Sequence, residues 1–194
     1  HAARGPDQAL QPLTTSAEPT PAGAYLPSDP NVVVFERDVG GSETSRVYRL
    51  DSNTQKWLPG TLIYELDADS TSVTDLSRID GNRFVVLERD DLAGDAAKSK
   101  RVYAIDLDKA VPGKPLAKKL VIDLLSIGNA HGLAETLAPG APFRFPFLTP
   151  EAIQVLDRKH VVIANDNNFP ARGGRGPNVN DATEWLWLEL ANPL

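Results

Sequence analysis

Val85-Val86-Leu87-Glu88-Arg89-Asp90, followed by Arg101-Val102-Tyr103-Ala104-Ile105-Asp106, decides the fold, because the chain spells the same phrase earlier. Val33-Val34-Phe35-Glu36-Arg37-Asp38 runs, after a short polar insert, into Arg46-Val47-Tyr48-Arg49-Leu50-Asp51. The first halves are offset by 52 positions (36 to 88) and the second halves by 55 (48 to 103). A third, decayed copy reads Val161-Val162-Ile163-Ala164-Asn165-Asp166, then Glu184-Trp185-Leu186-Trp187-Leu188-Glu189. Two strands joined by a polar connection, recurring every ~40–50 residues, are the signature of a β-propeller blade. The fold class expected is therefore all-β, a β-propeller that is incomplete, with about three blade-like repeats where closure takes about four to eight. Open blade edges are costly in water, so the rest of a propeller or a partner is expected to cover them.

Outward from the repeats, the punctuation agrees. Asp29-Pro30 and Gly40-Gly41 bound the first strand, Asp51-Ser52-Asn53 ends the second, and Asp80-Gly81-Asn82 joins a hairpin from Ser72–Ile79 to Phe84–Glu88. Strands are also expected at Leu62–Leu66, Leu120–Leu124, Ala152–Leu156, His160–Ala164 and Glu184–Leu190, with a short helix near His131–Leu137 inside an irregular stretch, Ser126–Phe147. Residues 1–30 carry six prolines and read as an extended segment, mostly without ladder pairing, with a short strand around Ala9–Leu13. The propeller portion is residues 31–194. Trp185, Trp187, Tyr48 and Tyr103 read as core between blades.

Composition narrows function. A net charge of −6 opposes nucleic-acid binding, which needs a basic surface. No apolar run approaches the ~18 residues of a membrane span. The absence of cysteine removes thiolate nucleophiles and thiolate metal sites, and is compatible with export and with the cytosol alike. No Gly-x-Ser-x-Gly elbow, His-Glu-x-x-His or P-loop occurs, so a water activated by a carboxylate or a metal is preferred over a serine nucleophile.

Three groups of residues could carry chemistry. Asn165, Asp166, Asn167 and Asn168 follow an apolar strand; such oxygens suit Ca²⁺, and equally cap a turn. Asp38, Asp90 and Asp166 end the three repeats, so they could converge on one rim as metal ligands, or pair with Arg37 and Arg89 between repeats. Glu151 could orient water, and Arg175, in Gly173-Gly174-Arg175-Gly176, could hold a phosphate in bidentate fashion. A surface carboxylate and a plain glycine loop are the structural alternatives. His131 and His160 are not arranged as a catalytic pair.

From roughly Ala9 to Leu190 the chain resembles the phytase-like family, described by an esterase-like activity of phytase. The segments that carry the resemblance are Ala9-Leu10-Gln11-Pro12-Leu13, Tyr64-Glu65-Leu66, Val73-Thr74-Asp75-Leu76, Val86–Asp90, Asn165-Asp166-Asn167-Asn168-Phe169-Pro170, and Gly174-Arg175 with Asp181. The resemblance implies the C-terminal part of a secreted or periplasmic β-propeller, in a family associated with phosphoric-ester or ester hydrolysis. An early Glu-Gly motif has no counterpart here, and at Pro150-Glu151-Ala152 the usual glycine after the glutamate is missing. The reading is an exported hydrolase of phosphoric esters, with Ca²⁺ assistance possible, Glu151 and Asp166 catalytic, and Arg175, Asn167 and Asn168 on the substrate. The other reading is a non-catalytic propeller that binds an envelope component or a protein.

Overall fold

The structure, a computed structural model, describes residues 23–24, 31–37, 44–51, 53–133, 137–138, 140–168 and 182–194. Twelve strands among them form three antiparallel sheets. The first contains β1 (Gly23–Ala24), β2 (Asn31–Arg37) and β3 (Thr44–Asp51), with β4 (Lys56–Trp57) and β5 (Leu62–Glu65) both pairing with β3. The second is a meander of β6 (Ser72–Asp80), β7 (Arg83–Arg89), β8 (Lys100–Asp106) and β9 (Lys118–Asp123). β10 (Pro150–Val155), β11 (His160–Asn165) and β12 (Trp185–Glu189) form the third.

Each sheet is a blade, and the repeated phrase is its middle pair of strands in the first two and its last pair in the third. Glu36 lies opposite Arg46 just as Glu88 lies opposite Arg101. The sequence places both pairs correctly because β-branched and aromatic residues alternate over a half-buried surface and Asp80-Gly81-Asn82 turns the chain, with Gly81 at φ 45°. Gly23–Ala24, inside the proline-rich segment, pairs with β2. The expected strand at Ala9–Leu13 lies outside the described residues. His131 and Gly132 form a turn closed by Gly132 N–H on the Asn129 carbonyl, not the start of a helix, and residues 134–136 lie outside the described residues too.

Two cores hold the blades face to face. Val47, Tyr64 and Leu66 of the first pack on Leu76, Phe84, Val86 and Ile105 of the second. Val85, Leu87, Val102 and Leu124 of the second pack on Ile153 and Ile163 of the third, with Phe145 and Phe147 at the seam. Side chains on β6 also hold the backbone of β10. Thr74 Oγ1 donates to the Pro150 carbonyl at 2.9 Å, Asp75 Oδ2 accepts from Ile153 N at 2.8 Å, and Ser77 Oγ accepts from Val155 N at 3.0 Å. The three blades are consistent with a propeller that does not close.

The third copy is out of step with its sequence match. In the second blade the ladder slips between Val73 and Asp75, opposite Glu88 and Leu87; in the third it slips between Pro150 and Ala152, opposite Asn165 and Ala164. Superposing the two irregularities puts Ala164 in the place of Leu87, Asn165 in that of Glu88 and Asp166 in that of Arg89. Packing agrees: Phe84 and Val86 face the preceding blade, and so does Ile163. A one-residue slip reverses every side chain of a strand, so the literal match would have turned Ile163 away from the core it fills. Asp166 therefore does not share a place with Asp90, and Asp38 lies outside the described residues.

The same register corrects the tryptophans. Val47, Val102 and Trp185 are equivalent, opposite Phe35, Leu87 and Ala164. Val47 and Val102 are fully buried against the following blade, whereas Trp185 and Trp187 are each 70% exposed because among the described residues no further sheet packs on the third. Tyr103 is core, as expected, and Tyr48 is half-buried, edge-on to Trp57 at 5.9 Å.

Candidate functional site

The ends of β7 and β11 and the starts of β6, β8, β10 and β12 lie at one rim of the sheets, as the ladders require. Asp166 leaves β11 there. Its N–H donates to the Thr149 carbonyl at 2.8 Å, and Thr149 Oγ1 donates to the Asp166 carbonyl at 2.9 Å. Asp166 Oδ1 accepts the N–H of Asn168 at 3.0 Å, an Asx turn in which Asn168 adopts φ 56°, a left-handed conformation that asparagine tolerates. Asn168 Nδ2 closes the ring onto Thr149 Oγ1 at 2.6 Å. The result is an exposed carboxylate on a braced backbone. Asn167 lies between them, half-buried.

Asn165 is buried and structural. Its Oδ1 accepts from Glu184 N at 2.7 Å and its Nδ2 donates to the carbonyls of Asp166 and Ala182 at 3.1 and 3.4 Å. The side chain pins the two ends of the connection between β11 and β12.

Glu151 stands near the start of β10, about half-exposed. Its carboxylate lies 3.6 Å from Arg89 Nη2, across the seam between the second and third blades. Arg89 Nη1 donates to Asp91 Oδ1 at 2.5 Å and to the Asp90 carbonyl at 3.1 Å, while its buried Nε finds no hydrogen-bond partner among the described residues. Partial burial pushes the Glu151 carboxyl above the usual range; the Arg89 charge opposes this and the Asp166 charge adds to it. The rim thus brings the charge of Asp166 to bear on Glu151, which itself faces a guanidinium whose Nε is unspent among the described residues. Arg89 is the site residue that sequence reading treated as a structural ion-pair partner. Arg175, Asp38 and Asp181 lie outside the described residues.

Asp90 does other work. Its Oδ1 meets Lys100 Nζ at 2.6 Å and the N–H of Leu92 at 3.3 Å; Oδ2 accepts from Lys98 N and Ser99 N at 2.6 and 3.0 Å. Lys100, fully buried, also donates to the Asp90 carbonyl at 2.8 Å. Burial depresses the Lys100 ammonium against the pull of Asp90; the Asp90 carboxyl, raised by burial, is held below its usual value by the Lys100 bond and the two amides. Where a repeat-to-repeat ion pair was the structural expectation, Asp90 is held among the described residues by this clamp within its own loop.

These partners bear on calcium. Asp90 oxygens are occupied by a cation and three amides, and the Asn165 oxygen by Glu184 N. No group of three or more acidic or histidine side chains placed to hold a metal occurs among the described residues. Asn165, Asp166 and Asp90 do not fit a shared Ca²⁺ site, whose ion takes about six to eight oxygens.

The repeated Glu, Arg and Tyr also acquire a reason. Glu88, fully buried, accepts from Tyr64 Oη at 2.7 Å, Asp67 N at 2.8 Å and Lys118 Nζ at 2.8 Å. Asp67 meets Lys118 at 2.7 Å, Arg101 at 2.9 Å and the Tyr103 hydroxyl. Lys118 sits over the rings of Tyr103 and Tyr64, 4.3 and 5.0 Å from their centroids. Burial and the neighbouring carboxylates push both phenols up. Burial raises Asp67 too, but the hydrogen bonds of Lys118 and Tyr103 and the charges of Lys118 and Arg101 outweigh it and leave its carboxyl low. This network locks the second blade to the first.

The fold and rim define an all-β protein of propeller-type blades with its ionisable residues gathered at strand ends. A family model described as phytase-like, esterase-like activity of phytase, matches residues 24–169, three-quarters of the chain. The chain belongs to this family, and membership points to a hydrolase-type function. The match covers Arg89, Glu151 and Asp166 and ends before Arg175. A comparison with curated proteins finds no match.

Proposed function

We propose that the protein is an exported hydrolase of phosphoric esters whose reaction takes place at the rim formed by Arg89, Glu151 and Asp166. The observation that carries this reading is the Glu151 carboxylate facing a guanidinium across the blade seam, with the Asp166 charge acting on it from the end of the next strand, inside the segment matched by the family. Asp166, exposed and braced by its Asx turn, takes a proton from the attacking water as the oxygen–phosphorus bond forms. Glu151, whose carboxyl is raised, supplies the proton that the leaving alkoxide needs as the ester bond breaks. Arg89 holds the phosphoryl oxygens, with Arg175 as a second cation, and Asn167 and Asn168 contact the substrate. Proton and phosphoryl group balance without a redox partner. Action outside the cytoplasm belongs to the same reading.

The test is release of inorganic phosphate from a panel of monoesters. Turnover by the wild-type chain supports the reading; no release from any ester at any pH removes it.

A second reading, a binding module, rests on Trp185 and Trp187, which leave a sheet face open. It predicts partner capture without turnover, unchanged by Asp166→Asn.

A further inference from the structure

Resting on that reading, we infer that Glu151 is a gate on Arg89: the carboxylate and an incoming phosphate compete for one guanidinium, and phosphate binds by displacing Glu151. Arg89 is only 12% exposed, and its charge faces four groups. On its own segment Asp91 takes Nη1, the Asp90 carbonyl shares it, and Lys100 adds a like charge nearby. From β10 Glu151 approaches Nη2, and from the end of β11 Asp166 acts on Glu151.

These contacts differ in strength. The Asp91 bond, at 2.5 Å, is tight, whereas Glu151 stands at 3.6 Å, beyond hydrogen-bond distance. Nε is buried and without a partner among the described residues. A guanidinium uses Nε and Nη2 together as a bidentate fork for carboxylate or phosphate, and this edge is the one Arg89 has left unspent. A tetrahedral phosphate engaging that edge occupies the space before Nη2, so the more loosely held Glu151 must swing out. Once displaced it lies beside a dianion as well as Asp166, and both favour its protonated form. Binding the substrate thereby charges the acid that the leaving group requires.

Gating has an unusual consequence. Removing the charge of a residue in the site tightens ligand binding instead of weakening it. Titration calorimetry with inorganic phosphate on the intact chain reads this directly. Glu151→Gln, nearly isosteric, is expected to bind phosphate about 3- to 5-fold more tightly than wild type while losing turnover. Arg89→Gln is expected to weaken binding about tenfold or more, and Arg89→Lys, which lacks the fork, to recover only part of it.

Sulfate, which keeps its double charge across the acid range, supplies a check that does not depend on the Arg89 variants folding. Its affinity for wild type rises as pH falls and Glu151 is neutralised, and that rise is blunted in Glu151→Gln. Phosphate binding that is equal or weaker in Glu151→Gln, or sulfate binding with the same pH course in both, overturns the gate. Turnover decides the function separately. Hydrolysis that persists in Arg89→Gln shows a phosphate held elsewhere, so the gate fails and the hydrolase stands. Tightening in Glu151→Gln without any hydrolysis by wild type leaves the gate standing and removes the hydrolase.

Discussion

Asp166 occupies in the third blade the position that Arg89 occupies in the second. The repeat thus places an acid where its own earlier copy has a base, and Glu151, at the seam, feels both. A site made from unequal copies is expected where blades meet, because identical copies offer each seam the same charge. Asp166→Asn retains the turn-forming oxygen for the Asn168 amide. Its stability is expected to stay within about 0.5 kcal/mol of wild type, as for an exposed side chain, in urea unfolding.

The Lys100–Asp90 pair predicts the opposite balance. Lys100→Met leaves a buried carboxylate without its cation and is expected to cost about 3–5 kcal/mol. Replacing both residues by apolar side chains should recover part of that loss, although the loop amides held by Asp90 remain unsatisfied. Denaturant midpoints of the two single variants and the double variant form the cycle that measures the coupling.

Asp67 sets the acid limit of the lock between the first two blades. Its folded carboxyl titrates lower than in the unfolded chain, so the stability it contributes is fully present above about pH 4. That contribution is lost as pH falls through the lower folded value. Tyr103→Phe removes one partner and is expected to cost about 1–2 kcal/mol and to weaken this acid dependence. Thermal unfolding of the variant and wild type over the acid range checks both the size and the direction.

Glu151 titrates with the reverse sign. A raised carboxyl binds its proton more tightly in the folded state, so it adds stability as pH falls through the folded value and withdraws it above. As the acid that protonates the leaving group, it makes hydrolysis decline on the alkaline side of its titration. The pH–rate profile of Glu151→Gln should lose that limb, and esters with good leaving groups, which need no proton, should suffer least.

Calcium removal gives a further check. Because Asp90 and Asn165 are committed to protein partners, chelation is expected to change phosphate release by less than about twofold. A larger drop, restored by added Ca²⁺, would require a donor set beyond Asn165, Asp166 and Asp90.

The repeat made the blades legible. Alternating β-branched residues and the Asp80-Gly81-Asn82 turn, with Glu, Arg and Tyr recurring in the first two copies, located the middle strands of the first two sheets and the last two strands of the third. Register in the third copy was not legible, because Val161-Val162-Ile163 reads equally well one residue either way. Only the bulge opposite Asn165 and the burial of Ile163 decide it. Glu151 and Asp166 could be named from their positions at strand ends. Arg89 could not be singled out, since the carboxylate that faces it lies 62 residues away on another blade. Trp185 misled for the same reason: its sequence position is that of a core residue, and its exposure depends on whether another sheet covers the outer face of the third.

The most direct test of the rim as a reaction centre is the initial rate of phosphate release from one alkyl monoester, whose poor leaving group needs a proton, by wild type, Glu151→Gln, Asp166→Asn and the double variant, all folded by thermal melting. Each single variant is expected to fall about 100-fold or more, and the double variant to fall little further, because the two carboxylates act in one step. Wild-type rates in both single variants would contradict the account.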